Sequence, residues 1–480
     1  MAEQSGTRVT RPSEYLVLRQ PPVLGAPSVS LPLRFVLTGM LSLFVGVGWL
    51  VARPGILATY HYNQYVIAVT HLFVLGFICS IVMGAMYQLV PVALETRLYS
   101  ERLAKWQFAF HLVGFVGMVW MFWVWDMKQV GHFGSVLTVG VGLFVYNIAR
   151  TLLRVPKWNV TAFAVAAALV WISFTVLAGL SIAAAKCAYE STSGLATATG
   201  VSTVVGGLCA VAKFMSHFDA LSAMHAHAHL GVVGFFLLLI VGVSYKLIPM
   251  FALSEVQSRR RAAWSVVLLN LGLAGVFVSI LLRSSLKPAF ALVIVGGLAL
   301  YGIEMRAILR ARKRRTLDWG LKSFLTAIAL LAPLSLLALV LSWPGLPLTP
   351  FTGQLENVYG FVMLLGVVAF AIVGMLYKIV PFLVWYHSYS KQIGRAKVPA
   401  LAEMYSARLQ ALGYWTYVTA LAVTSAATVL GSEVGVRFGC SLLAFSLGVF
   451  ALNLGKILTH FVRPKIEPLV LQPAKTGGAL

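Results

Sequence analysis

The 480-residue chain is 59% hydrophobic and only 11% charged, which excludes an ordinary soluble enzyme and fits an integral membrane protein. Its formal net charge of +23 would suit a nucleic-acid binder. The basic residues, however, stand in short clusters between long apolar runs, so the expected partner is a lipid bilayer and not nucleic acid. Four cysteines make no disulfide framework; structural thiols are expected, with a Cys187–Cys209 bridge as the alternative.

In chain order, a polar tail (1–31) comes first, and the first apolar segment is too long and too late for a cleaved signal peptide. Twelve apolar segments follow, near 32–51, 62–89, 106–125, 134–148, 160–183, 223–247, 263–282, 289–301, 321–341, 357–379, 412–430 and 437–457. Each long one suffices to span a bilayer as a helix, which needs about twenty residues. The largest connection, 184–222, is apolar enough for a short interfacial helix, and residues 466–480 form a second tail. With twelve spans, one side collects thirty lysines and arginines and the other only seven. That asymmetry places both termini in the cytoplasm and sends the second and sixth segments inward, with their histidines in the outer half.

An internal repeat is the second signal. His71 is followed by Gly76, Gly84, Tyr87 and Pro91; His229 by Gly234, Gly242, Tyr245 and Pro249; Phe361 by Gly366, Gly374, Tyr377 and Pro381, all at the same offsets. The fourth, eighth and twelfth segments end in ArgThrLeuLeuArg (150–154), ArgAlaIleLeuArg (306–310) and LysIleLeuThrHis (456–460). The expected fold is therefore all-α: one membrane domain of three pseudo-threefold four-helix units, approximately 32–158, 184–315 and 321–465. The prolines are read as helix terminators, with an interfacial Tyr and a snorkelling Lys246 or Lys378 ahead of them.

Chemistry concentrates at the start of the sixth segment, where His225, His227 and His229 alternate ahead of an apolar run. Ionisable groups there are costly without partners, so they mark a site by default. At about 100° per residue, His225 and His229 share a face while His227 points nearly opposite. Imidazoles suit heme iron or copper. His71 is expected as one axial ligand of a b-type heme, with His229 or His227 opposite it. The rest of the triplet is left for a second heme or a copper ion. Gly76 and Gly234 would leave room for the macrocycle, and Arg53 and Arg437, with Arg283 behind them, are the expected propionate partners. His61, His111, His132, His217, His387 and His460 read as surface or hydrogen-bonded residues, and Glu95, Glu255 and Glu304 as solvated segment ends.

Twelve spans, three related units and outer-half histidines on the repeated helix resemble subunit I of the heme–copper oxidases over nearly the whole chain. In that family helix 2 gives a low-spin heme ligand, matched by His71, and helix 6 a copper-ligand histidine, in the region of His225, His227 and His229. The family's histidine pair on helix 7 has no match in 263–282. Tyr359 and Phe361 stand where its helix 10 carries His-x-His. A similar departure marks the heme- and copper-containing proteins of the nitric-oxide response.

The resemblance implies a membrane-embedded b-type cytochrome of respiratory electron transfer in the bacterial inner membrane. It would carry one or two hemes, with copper as a further ligand and His71 and His229 axial, and His227 would serve a second centre reducing oxygen or nitric oxide. A c-type cytochrome or cupredoxin would donate electrons from outside, and further respiratory subunits would assemble with it. The alternatives are a non-catalytic heme- or copper-handling or nitric-oxide-protective protein, and a transporter.

Overall fold

The computed structural model describes residues 29–59, 62–194 and 210–468, with twelve long helices among them. They are α1 (Ser30–Ala52), α2 (Gln64–Ala93), α3 (Glu101–Val124), α4 (Met127–Leu152), α5 (Val160–Gly194), α6 (Ala220–Ala252), α7 (Arg259–Leu281), α8 (Lys287–Arg310), α9 (Trp319–Ser342), α10 (Pro350–Gln392), α11 (Ala407–Val429) and α12 (Glu433–Val462). Eleven of these are long and apolar enough to cross a membrane. The exception is α11, which has the length but carries Arg408, Gln410 and four threonines; it still packs closely along α12. The chain is a multi-pass, all-α membrane protein. Most helices start on a side-chain cap: Asn63 accepts from Tyr65 and Val66 N–H, and Ser100, Asp219, Ser258 and Ser406 act alike. Each such cap contributes about 1 kcal/mol.

The packing repeats three times. α1 lies on α2, α5 on α6 and α9 on α10; α3–α4, α7–α8 and α11–α12 are tight hairpins; and α4–α5, α8–α9 and α12–α1 close the ring. At the centre, α2, α6 and α10 each change to an eight-residue π-helical winding at Leu72–Cys79, Leu230–Leu237 and Val362–Ala369. These begin directly after His71, His229 and Phe361, and the first two both touch the third. A π winding frees backbone carbonyls and is frequent at functional sites. Two freed carbonyls find buried donors: Leu75 O accepts from His111 Nε2 at 3.1 Å, and Leu365 O from the Tyr417 hydroxyl at 2.8 Å.

The glycines of the repeat set helix spacing. A Cβ on Gly84 would collide with Phe35, on Gly242 with Ala164 and on Gly374 with the Gly320 carbonyl. Each is a close approach to the first helix of its own unit, the second unit starting with α5 at Val160 and not at residue 184 as expected. Gly76 and Gly234, expected to border a porphyrin slot, instead face Ser42 and Phe115, and Leu273 and Trp171. The prolines do not terminate helices: Pro91, Pro249 and Pro381 lie inside theirs, which run on to Ala93, Ala252 and Tyr389. Near a helix end the lost N–H bond is tolerated, because few turns follow. The turns come later, with Glu95 and Leu253 left-handed (φ 53° and 55°) and Thr96 and Ser254 N–H bonding back to Pro91 and Pro249.

Two further expectations change, on the long loop and on Glu304. The loop 184–222 begins as helix, since α5 extends to Gly194; Cys209 and His61 lie outside the described residues. Cys187 is a free thiol, as are buried Cys79 and Cys440. Glu304 is no solvated end: fully buried, its carboxylate accepts from Gln257 N–H at 2.6 Å, Ser258 N–H at 2.8 Å and Arg261 Nε at 2.8 Å. Asn147 and Asn453 hold Ser100 and Ser406 in the same place of the other two hairpins.

Candidate functional site

The central helices enclose an apolar cavity of about 1000 Å³, at the upper end of the roughly 300–1,000 Å³ usual for small-molecule sites. His71, His225, His227 and His229 all line it, together with His111. His71 Nδ1 donates to Ile67 O at 2.8 Å and His229 Nδ1 to His225 O at 2.8 Å. A carbonyl only accepts, so the proton of each neutral ring sits on Nδ1 and the lone pair on Nε2. Among the described residues neither Nε2 is hydrogen-bonded.

The two-residue spacing on α6 turns His227 and His229 about 200° apart. His227 packs against Gly179 of α5 and lies near enough to His71 for their charges to interact. Its Nδ1 is buried without a well-formed hydrogen bond, although the Thr175 backbone on α5 lies close enough to act on the ring. His229 faces the other flank, its ring 6.4 Å from that of Tyr359 on α10 and near Lys287 at the start of α8. His71 lies against Phe122 of α3, the rings tilted by 34° with centroids 4.5 Å apart. The cavity thus has two flanks divided by α6: His71 and His227 share one, His229 and Tyr359 the other. Of the two partners expected opposite His71, His229 or His227, it is His227 that lies within electrostatic reach of it.

Among the described residues no three His, Cys, Asp or Glu side chains come together to hold a metal ion. A heme iron needs only two axial groups, and the residues present fit one.

The cationic mouth also differs from expectation. Arg53 does not line the cavity; its guanidinium lies over Tyr65 and Trp123 at 5.3 and 5.4 Å. Arg437 is exposed and likewise outside it. Arg283, Lys287 and Lys186 take that place. Lys186 donates to the Tyr62 hydroxyl at 3.0 Å and sits 5.0 Å over the Tyr62 and Trp125 rings. Lys287 and Glu356 are close enough to interact.

Arg283 and Trp125 are left-handed (φ 52° and 63°) where the third unit's hairpin has Gly431 (φ 63°). That conformation costs a side-chain-bearing residue roughly 1–2 kcal/mol. Both non-glycine residues line the cavity, whereas Gly431 does not. Among these three equivalent turns, the strain is kept at the two whose side chains reach the cavity, which marks them as candidate used positions. The remaining histidines are ordinary: His132 and His217 are surface residues, and His460 bonds the Tyr389 hydroxyl at 2.6 Å.

With that geometry in place, residues 23–130 match the family model described as Cytochrome C and Quinol oxidase polypeptide I. The chain is similar to subunit I of the heme–copper oxidases. The matched stretch holds α1 to α3, with His71, and ends before the α6 histidines. No curated protein matches the chain at a significant level.

Lys287, Glu356 and Lys186 were missed by sequence reasoning. Their signal was weak but present: all three fall in the part of the sequence assigned to the side with only seven lysines and arginines, near the edges of apolar segments.

Proposed function

We propose that this protein is a membrane-embedded b-type cytochrome of respiratory electron transfer, with one heme held between His71 of α2 and His227 of α6. The observation that carries the reading is the pair itself: two imidazoles from different helices beside one apolar cavity, one with its lone pair fixed on Nε2. A buried, unpartnered imidazole nitrogen costs on the order of 1–3 kcal/mol, which ligation of a heme iron by His227 would offset. Ile67 O fixes the His71 tautomer and ring direction, the role such partners play behind metal-bound imidazoles. Phe122 shields that ring. Lys186 and Arg283 supply positive charge at the mouth for propionates. When bound, the heme supplies one-electron chemistry.

His229, Tyr359, Lys287 and Glu356 form a second centre on the other flank, where a second heme or a small oxidant such as oxygen or nitric oxide would sit. With the arginine-rich face inward, the cavity opens outward, in reach of a c-type cytochrome or cupredoxin donor. Reduced-minus-oxidised spectra and heme content test the assignment. The wild type should show a sharp bis-imidazole b-type band that His71→Ala and His227→Ala each abolish and His229→Ala preserves. An unchanged band in either of the first two variants overturns the axial pair.

A further inference from the structure

On the arginine-rich face, a groove of about 750 Å³ runs between α7 and α8, lined by Gln257, Arg261, Ile303, Arg306, Ala307 and Arg310, with Ala311 at its end. Arg261 is neutralised by Glu304. Among the described residues Arg306 and Arg310 make no hydrogen bond, ion pair or ring contact.

The first unit shows what is missing. Its corresponding Arg150 lies 4.9 Å over Tyr99 and 5.8 Å over Tyr146, and its Arg154 4.8 Å over Tyr99. Tyr99 comes 28 residues after His71; Gln257 comes 28 after His229. Tyr146 directly precedes the capping Asn147, and Ile303 directly precedes the capping Glu304. Both aromatic covers are thus replaced, by the two residues that line the groove. Two arginines are left over an apolar floor whose Ile303 is 54% exposed, on a hairpin whose Trp264 is 56% exposed toward the membrane.

We propose that this groove binds the phosphate headgroup of an anionic phospholipid, Arg306 and Arg310 holding the phosphate and Ile303 and Ala307 the first part of an acyl chain. Guanidinium pairs match phosphate oxygens in fork geometry, and basic pockets between spanning helices suit anionic headgroups. A free phosphate would use the arginines but leave the apolar floor without a partner.

The test is native mass spectrometry of the delipidated full chain in neutral detergent, titrated with dioleoylphosphatidylglycerol, dioleoylphosphatidylcholine or inorganic phosphate. Phosphatidylglycerol should bind, and the paired change Arg306→Gln with Arg310→Gln should weaken it about thirty-fold, as loss of two such charges implies. Gln257→Tyr with Ile303→Tyr keeps both charges but restores the aromatic cover, and should weaken binding in the same direction. Equal retention by both paired variants, or phosphatidylcholine bound as well as phosphatidylglycerol, overturns the site. Inorganic phosphate binding as tightly as the lipid overturns the lipid as occupant. The readout involves no heme, so it stands or falls apart from the cytochrome assignment.

Discussion

Among the described residues four non-glycine residues hold a left-handed backbone, and they divide by what their side chains do. Leu253 ends α6 on the surface, away from the cavity, so only the turn needs it there. Leu253→Gly should raise stability by about 1 kcal/mol, read as a higher unfolding temperature in detergent. Arg283→Gly relieves the same strain at the cavity mouth. It should also gain stability, but lose cofactor occupancy in the purified protein. A gain in both would show that the Arg283 side chain has no part in the site. Sequence alone could not separate these positions, because the sign of φ appears only once the hairpin closes. Arg53 and Arg437 illustrate the same blindness: both stand at helix ends on the correct side, yet one turns onto aromatic rings and the other to the surface.

α6 is the element on which the site depends, and its two ends make separate demands. At its start, Asp219 accepts from the Ser222 N–H and hydroxyl and faces Arg283, interactions that hold its carboxyl below the usual 3.8. A depressed carboxyl stabilises the fold above its unfolded value, and that contribution is lost as pH falls through the lower folded value. An asparagine in its place would keep the cap but not the charge. The stability gap between wild type and Asp219→Asn should therefore be full at neutral pH and close below about pH 4. At the other end, Gly242 meets Ala164 of α5. Gly242→Ala should force the helices apart and cost about 1–3 kcal/mol in thermal unfolding.

The helix and its histidine spacing were legible in the sequence, since periodicity and apolar length decide both. Which flank each ring would face was not, because that depends on how α5 and α10 seat against it. The π windings were equally hidden: nothing in Leu72–Cys79 or Leu230–Leu237 departs from an ordinary apolar run.

At the scale of the whole molecule, the offsets that rhyme in sequence reappear as common structure. Three windings meet at the centre, three glycines seat three outer helices, and three buried acceptors fasten three hairpins. The chain has then used its units unequally. The first two lend histidines, and the third contributes Tyr359 and Phe361 at the matching places. If both flanks take heme, pyridine hemochrome counts should fall by one per chain in His227→Ala and by one in His229→Ala. Loss of both hemes from either variant would mean a single shared site.

That arrangement gives α6 the character of a seesaw. Because His227 and His229 extend from opposite sides of one rigid rod, a small roll of the rod that improves one ring's aim spoils the other's. Filling one side must therefore alter the hold on its counterpart, and thermodynamic linkage requires the influence to be equal in both directions.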